Sequence, residues 1–289
     1  MKYVERPLLF PCAGKQLVGI LAQPERHSPI GVVIVVGGPQ YRAGSHRQFV
    51  SLARALAAGG YPVLRFDYRG MGDSSGEMRG FEAVGEDIGG AVAALHGACP
   101  EATRTVLWGL CDGASAALLY WDECRDPRID GLVLVNPWIR SEATQARTQV
   151  KHYYGQRLLQ REFWLKLLRG NVALGDSLLE LGHKIGLSVA RAAPSGQLSY
   201  HARMARAWRD FPGQLLLILS GQDYVAKEFL EYARSDAAWS GFLDRPGAER
   251  IDLAAADHTF SAKGQQEGLE TAVLGWLERQ AWEAERLAG

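Results

Sequence analysis

The sequence predicts an α/β protein with a mostly parallel central sheet and helices on both faces. Apolar runs of strand length alternate with segments whose apolar residues recur at helical spacing, which is the pattern of βαβ units. Residues 31–37 (GVVIVVG) are apolar throughout, as expected for a strand that is buried on both faces. A chain of 289 residues is long enough for one such core with an insertion.

The predicted elements follow from these runs in chain order. Strands are predicted where β-branched and other apolar residues are contiguous, and helices where apolar residues lie three or four positions apart. Ser45 is expected to cap the first helix, and Gly59 and Gly60 are expected to end it. The predicted strands are 16–22, 31–37, 61–67, 104–110, 130–136, 214–220 and 250–254. The predicted helices are 47–58, 82–96, 112–123 and about 265–285.

The alternation is interrupted between residues 139 and 208, which contain no convincing strand. This segment carries eleven Lys or Arg and four Asp or Glu, although the whole chain has 32 of each kind. We therefore predict a core formed by residues 1–138 and 209–289, with a helical cap or lid at 139–208. The basic charge fits either a solvated helical face or a lid that attracts an anionic substrate.

Composition argues against several classes of function. Equal numbers of basic and acidic residues provide no general electrostatic reason to bind nucleic acid. No apolar run has the roughly 20 residues that span a bilayer, and the first residues lack the apolar region of a signal peptide. The four cysteines lack C-x-x-C spacing and no His/Asp cluster has ligand spacing, so no disulfide framework, metal or other cofactor is expected. A reducing cytoplasm is the expected location, and the oligomeric state is left open.

The motif that indicates chemistry lies at a predicted strand-to-helix turn, residues 109–113 (GLCDG). It has the G-x-C-x-G form of a nucleophile elbow, with cysteine at the nucleophile position. The turn is so sharp that any larger residue in place of Gly109 or Gly113 would collide with neighbouring backbone. It would place Cys111 at a helix N-terminus, whose dipole favours thiolate, although Asp112 opposes this when ionised. Cys111 is therefore the candidate nucleophile.

A candidate acid and a candidate base follow in the chain order typical of such sites. Asp223 comes after one predicted strand, and His258 comes after the last one. We predict that His258 is the base and that Asp223 orients it, with Asp257 and Asp252 as alternative acids. Among the other histidines His46 is the main rival, since it follows the loop after the strand at 31–37 and could contact substrate.

The chain resembles the α/β-hydrolase superfamily over essentially its whole length. Residues 66–74 (FDYRGMGDS) are similar to the D-x-R-G-x-G-x-S turn that is common in that superfamily. Together with 37–49 (GGPQYRAGSHRQF) and 109–112 (GLCD), this turn resembles the exosortase A system-associated hydrolase, type 1, family. The resemblance implies an α/β-hydrolase fold and a bacterial setting of exopolysaccharide export and PEP-CTERM protein sorting, but no known substrate. The cysteine elbow alone resembles that of dienelactone hydrolase.

The same resemblance implies where an oxyanion would bind. One donor would be the backbone N–H of Asp112, the residue after the nucleophile. Superfamily members usually take the second donor from the residue after a His-Gly pair, where this chain has Gly37, Gly38 and then Pro39. Because proline has no N–H, the second donor is expected from the backbone or side chain of Gln40, or from another group of this loop such as Gly38.

These residues predict cleavage of an ester or thioester through an acyl-Cys intermediate. A thiolate is a better leaving group than an alkoxide, so activated acyl donors suit it better than plain amides do. The expected substrate is a small or acylated molecule, with an anionic donor as one candidate because the insertion is basic. Two alternatives stay open: an acyltransferase with the same triad, and a catalytically inactive partner-binding protein of the export system.

Overall fold

The computed structural model describes residues 2–26, 28–38, 40–139 and 198–288 of the chain. Its strands are β1 (Tyr3–Cys12), β2 (Lys15–Pro24), β3 (Ile30–Val35), β4 (Val63–Phe66), β5 (Arg104–Leu110), β6 (Ile129–Val135), β7 (Gln214–Ser220) and β8 (Ala248–Leu253). Its helices, labelled in chain order, are α1 (Gln48–Ala58), α2 (Gly85–Ala98), α3 (Asp112–Cys124), α4 (Tyr200–Asp210), α5 (Tyr224–Ser235) and α6 (Lys263–Ala288).

The strands form one eight-stranded sheet in the order β1-β2-β4-β3-β5-β6-β7-β8. The six strands from β4 to β8 in this order pair in parallel, and β2 pairs antiparallel with both β1 and β4. The predicted α/β class with a mostly parallel sheet is therefore confirmed. The carboxyl ends of β5, β7 and β8 lie along the same edge of the sheet, so the loops that follow them can meet there.

Burial explains which strands the sequence predicts well. Strands β5 and β7 have the predicted bounds of 104–110 and 214–220, and all but their first residues are buried. Strand β1 is absent from the prediction, because it is an edge strand with half of its residues exposed and with Pro7 and Pro11 on either side of its short apolar run. Pairing with β2 along its whole length defines β1 instead.

The predicted cap at Ser45 is wrong, because helix α1 begins only at Gln48. Ser45 starts a 3₁₀ turn, and its N–H donates a 3.2 Å hydrogen bond to the Gln40 side chain. The helix starts after Arg47, whose φ of 62° is left-handed and whose side chain makes no capping bond. The loop before α1 therefore folds on itself through Gln40 before the helix begins.

Most of the predicted cap lies outside the described residues. Residues Met1–Ile139 and Tyr200–Gly289 form one compact unit. The end of the predicted insertion, residues 200–208, lies in α4 of the core unit. Arg206 fixes α4 to α3 through two hydrogen bonds of 2.7 Å to Asp122. The remainder of the cap predicted at 139–208 stays a prediction.

A buried amide joins the ends of β6 and β7. The Asn136 side chain donates to the Ser220 hydroxyl at 2.9 Å and accepts the Ser220 N–H at 2.8 Å, and both residues are buried. Asn136 also has a φ of 45°, which asparagine tolerates better than most residues. These bonds fix the point where the chain leaves β7 for the loop that contains Asp223.

We expect Asn136→Ala to lower the free energy of unfolding by about 2–3 kcal/mol. The substitution leaves the buried backbone N–H of Ser220 without an acceptor and puts alanine at positive φ. Denaturant unfolding would measure the loss. Ser220→Ala is the matched control: it removes the acceptor of the Asn136 Nδ2–H, but it keeps the bond from the residue 220 N–H to Asn136 and leaves asparagine at the positive φ, so its loss should be smaller. Equal losses in the two variants would contradict this assignment.

Candidate active site

Cys111 occupies a sharp turn between the last residue of β5 and the first residue of α3. Its φ of 60° and ψ of −126° are strained for a residue other than glycine. Its N–H donates to the Val135 carbonyl at 2.9 Å, which fixes the turn beside the end of β6. A Cβ added to Gly109 or Gly113 would collide with neighbouring backbone, as the elbow pattern requires.

Asp223 and His258 come together in the loops after β7 and β8. Nδ1 of His258 lies 2.7 Å from Oδ2 of Asp223. The other carboxylate oxygen accepts the Val225 N–H at 2.9 Å, so Asp223 also caps α5. An ionised carboxylate only accepts hydrogen bonds, so Asp223 favours the tautomer of a neutral His258 in which Nδ1 carries the proton and Nε2 keeps a lone pair. Asp223 is buried, whereas the His258 side chain is about one-third exposed.

The two alternative acids have other partners. Asp257 accepts the Thr259 and Ser261 N–H groups at 3.0 and 3.1 Å. Although its partial burial raises the pKa of Asp257, these bonds and the Ser261 hydroxyl hold that pKa below its usual value. Asp252 is exposed on β8 and pairs with Arg250 at 2.9 Å. Of the three carboxylates, Asp223 is therefore the one that contacts His258.

The rival histidine and the other cysteines have different surroundings from the elbow. His46 lies exposed in the 3₁₀ turn before α1. Cys12 is buried, and burial together with its hydrogen bond to Asp87 raises the pKa of its thiol to about 11. Burial also raises the thiol pKa of Cys99 and, at the exposed end of α3, of Cys124. These three thiols are therefore poor nucleophiles near neutral pH.

The loop expected to supply the second oxyanion donor is bonded within the protein. The Gly38 N–H, which is one of the predicted oxyanion donors, donates instead to Oδ1 of Asp112, the residue after Cys111. The carbonyl oxygen of the Gln40 side chain accepts from the Ser45 N–H and from Nε2 of Gln48, at 3.2 and 3.3 Å. Gly38 thus contacts the Asp112 side chain at the start of α3, whereas the Gln40 side chain bonds Ser45 and Gln48, so the arrangement differs from the expected pair of open N–H donors.

Arg42 holds this loop against the glycine-rich turn after β4. Its N–H donates to Oδ1 of Asp67 at 2.7 Å, and its guanidinium contacts Asp67 and, at 2.5 Å, Asp73. Sequence reasoning did not select Arg42, because the partners of a lone arginine in a loop depend on another loop that is distant in the sequence. The sequence feature that could have indicated this role of Arg42 is the pair of aspartates, Asp67 and Asp73, in the glycine-rich turn.

Two kinds of feature are absent from the described residues. Among residues 2–26, 28–38, 40–139 and 198–288, no group of three or more His, Cys, Asp or Glu side chains is arranged to hold a metal ion. No helix in these ranges is both long enough and apolar enough to cross a bilayer.

We expect Asp223→Asn to lower kcat on an activated ester by at least about tenfold, because an asparagine NH₂ group would favour the wrong tautomer of His258. Asp257→Asn is the matched control: it changes a neighbouring carboxylate that bonds only its own turn, and should have little effect on kcat. Steady-state kinetics of both variants would show which carboxylate orients His258. A larger loss in Asp257→Asn would reassign the acid.

Residues 27–179 match the model of the family described as serine aminopeptidase, S33, which covers more than half of the chain. Among curated proteins the human protein ABHD12B is 46% identical over 46 residues, which is 16% of this chain and 12% of that protein. The match therefore spans only a small part of that relative's length.

Solved structures share the fold at low sequence identity. An esterase from Pyrococcus furiosus superposes with a TM-score of 0.65 and 19% identity, covering 96% of this chain and 91% of that chain. Est1E from Butyrivibrio proteoclasticus, solved with ferulic acid, gives 0.60 and 16%, covering 94% and 98%. Proline iminopeptidase from Mycobacterium smegmatis gives 0.59 and 13%, covering 96% and 100%.

Proposed function

The chain belongs to the serine aminopeptidase, S33, family of the α/β-hydrolase superfamily, and from this premise we propose that it cleaves an ester or thioester with Cys111 as its nucleophile. The observation that supports the proposal most strongly is the 2.7 Å contact between His258 and Asp223. It provides an oriented base at the sheet edge where a cysteine occupies a strained elbow.

The proposed reaction has two steps. Nε2 of His258 takes the thiol proton of Cys111, and the sulfur attacks the carbonyl carbon while Asp223 stabilises the imidazolium. The bond to the leaving group then breaks, and His258 returns the proton to that group, which leaves an acyl-Cys thioester. Water attacks this thioester with His258 as base and releases the acid and the free thiol.

Cysteine at the nucleophile position favours esters and thioesters over amides. The tetrahedral intermediate expels whichever group leaves more easily, and a thiolate leaves more easily than an amide nitrogen that is not protonated, so an amide reverts to substrate unless His258 first protonates that nitrogen. An alkoxide or another thiolate competes better. The structural relatives include esterases as well as proline iminopeptidase. For this chain the leaving-group argument favours the esterase type of reaction over cleavage of an amide.

The wider setting is also part of the proposal. Three sequence segments resemble the exosortase-associated family, so an acyl substituent of an exopolysaccharide or its precursor is the proposed substrate class. A nucleophilic thiol must stay reduced, which fits a cytoplasmic location. The basic segment 139–208 would favour an anionic acyl donor.

Trapping the acyl group tests the proposal. We expect intact mass spectrometry after rapid acid quenching with a p-nitrophenyl ester to show one added acyl group, and peptide mapping to locate it on Cys111. Release to water would establish a hydrolase, and faster release on adding an acceptor alcohol would establish the acyltransferase alternative. Active enzyme without an acyl-Cys111 species would reject the nucleophile, and complete inactivity on esters and thioesters would favour a partner-binding protein.

A further inference from the structure

The loop after β3 is bonded to the loops on both of its sides. Strand β3 pairs in parallel with β4 and with β5, so the loops after all three strands leave the same edge of the sheet. On the β5 side the Gly38 N–H donates to Oδ1 of Asp112. On the β4 side Arg42 contacts Asp67 at the start of the glycine-rich turn. Gln40 lies midway in the sequence between these two attachment points.

Asp67 is a firm attachment point for Arg42. Its side chain is completely buried, and it accepts hydrogen bonds from both the backbone N–H and the guanidinium of Arg42. The Asp73 N–H donates to the same carboxylate at 3.1 Å. A Cβ on Gly72 would collide with this carboxylate, so the turn closes tightly over it. Because a buried carboxylate without donors is unfavourable, these bonds fix the backbone at Arg42.

The part of the loop that begins at Gln40 is also folded on itself. The Arg42 carbonyl oxygen accepts from Nη1 of Arg65 at 3.4 Å, and the Gly44 N–H donates to the Tyr41 carbonyl oxygen at 2.9 Å. The side-chain oxygen of Gln40 is occupied by two donors near the start of α1. The Gln40 backbone is therefore held in one position before any substrate binds.

The Gln40 N–H is the donor of this loop that stays available to a substrate. The Gly38 and Arg42 N–H groups are directed at aspartate side chains, and residue 39 is a proline, which has no N–H. The Gln40 N–H donates no hydrogen bond to the residues that the structure describes. Gln40 is half-buried, whereas the following residue, Tyr41, is exposed. A fixed donor that is not yet bonded is what an oxyanion requires.

From this arrangement we infer that Arg42 is a positioning residue for the reaction: its contacts with Asp67 hold the Gln40 N–H where that group donates to the substrate oxyanion. This inference rests on the proposed function. Negative charge builds up on the carbonyl oxygen of the substrate when the sulfur of Cys111 attacks. A donor that is fixed beforehand stabilises this charge without any rearrangement of the loop. Arg42 itself does not touch the substrate.

This role should affect the chemical step more than the binding of substrate. The hydrogen bond from the Gln40 N–H strengthens as the carbonyl oxygen becomes charged, so its loss raises the energy of the transition state more than that of the bound ester. Variants of Arg42 should therefore lower kcat with a much smaller change in KM.

Alkylation of Cys111 by iodoacetamide provides an independent reference reaction. The sulfur displaces iodide from a saturated carbon, so no oxyanion forms. The reaction still requires the thiolate, and hence an intact elbow with His258 beside it. The ratio of the acylation rate to the alkylation rate therefore reports on the oxyanion donors and not on the general folding of the site.

Arg42→Gln provides the test, with a p-nitrophenyl ester and iodoacetamide as the two probes. We expect kcat and the rate of Cys111 acylation to fall by about tenfold to a hundredfold, as for loss of one oxyanion donor, while alkylation stays within about twofold of wild type. Arg42→Lys keeps the charge but lacks the planar fork of donors, so its acylation rate should lie between those of wild type and Arg42→Gln. It is also the second variant in case Arg42→Gln does not fold.

Arg69→Gln is the matched control. Arg69 lies in the same glycine-rich turn, and its guanidinium contacts the buried carboxylate of Asp87 in α2. Among the described residues its side-chain partners do not include the loop after β3. The variant removes a comparable buried ion pair, so it should lower stability and leave the ratio of acylation to alkylation unchanged.

Three outcomes would overturn the inference. Equal falls in acylation and alkylation in Arg42→Gln would mean that Arg42 only stabilises the elbow, and unchanged rates would mean that the oxyanion donor does not depend on it. The same fall of the ratio in Arg69→Gln would mean that any loosening of the turn has this effect. An acyl-Cys111 species in the wild-type protein would show in each case that the proposed function stands and only the role of Arg42 fails.

Discussion

Cys111→Ala is expected to abolish turnover of a p-nitrophenyl ester, with kcat/KM falling by at least about two orders of magnitude. Without the sulfur no acyl-enzyme forms, and only the binding site and the oxyanion donors remain. The effect should be confined to catalysis, because Cys111 is partly buried at the start of α3 and alanine fits the same space. Steady-state kinetics with intact-mass analysis would measure the loss of both turnover and the acyl species.

Two matched variants serve as controls for this experiment. Cys124→Ala removes another cysteine from the far end of α3 and should leave kcat/KM unchanged. Cys111→Ser keeps a nucleophilic atom, so retained activity in that variant would show that the elbow accepts the serine of the family name. Undiminished activity in Cys111→Ala would contradict the proposed mechanism.

His258→Ala is expected to have an effect of similar size, about two orders of magnitude or more on kcat, because nucleophile and base act as a unit. The variant removes the group that takes the thiol proton and later returns it to the leaving group. It also leaves the buried Asp223 carboxylate without its 2.7 Å contact to the imidazole. Single-turnover acylation should slow together with steady-state turnover.

His46→Ala is the control for this variant, since His46 is the exposed rival in the loop before α1. It should change KM at most and leave kcat near the wild-type value. Adding imidazole to His258→Ala should restore part of the activity if the loss is chemical rather than structural. A kcat loss in His46→Ala equal to that in His258→Ala would reassign the base.

Local sequence patterns predicted those elements whose side chains are buried on both faces. Strands β5 and β7 have the predicted bounds, because a continuous apolar run needs no knowledge of its neighbours. Helix α5 was missed, since it follows Asp223 in a stretch with several polar residues. Its buried residues Val225, Ala226, Phe229 and Ala233 do recur at helical spacing, so a helix could have been predicted here from the sequence.

The candidate triad could also be predicted from the sequence. A cysteine between two glycines at a strand-to-helix turn, followed by Asp223 and His258 after later strands, is a pattern of residue types and order. The choice among Asp223, Asp257 and Asp252 needed the fold, because all three lie near the ends of β7 and β8. Only the 2.7 Å contact distinguishes Asp223 from a carboxylate that bonds its own turn.

By itself the sequence determined the α/β class, the position of the elbow and the order of the candidate residues. The tertiary structure decided where the Asp112 side chain lies. Sequence reasoning considered only the backbone N–H of Asp112, whereas its carboxyl group accepts the Gly38 N–H, 74 residues away in the chain. Strands β3 and β5 are parallel neighbours in the sheet, and this pairing brings the two loops together. A hydrogen bond between loops so far apart depends on that pairing, which no local pattern of residues encodes.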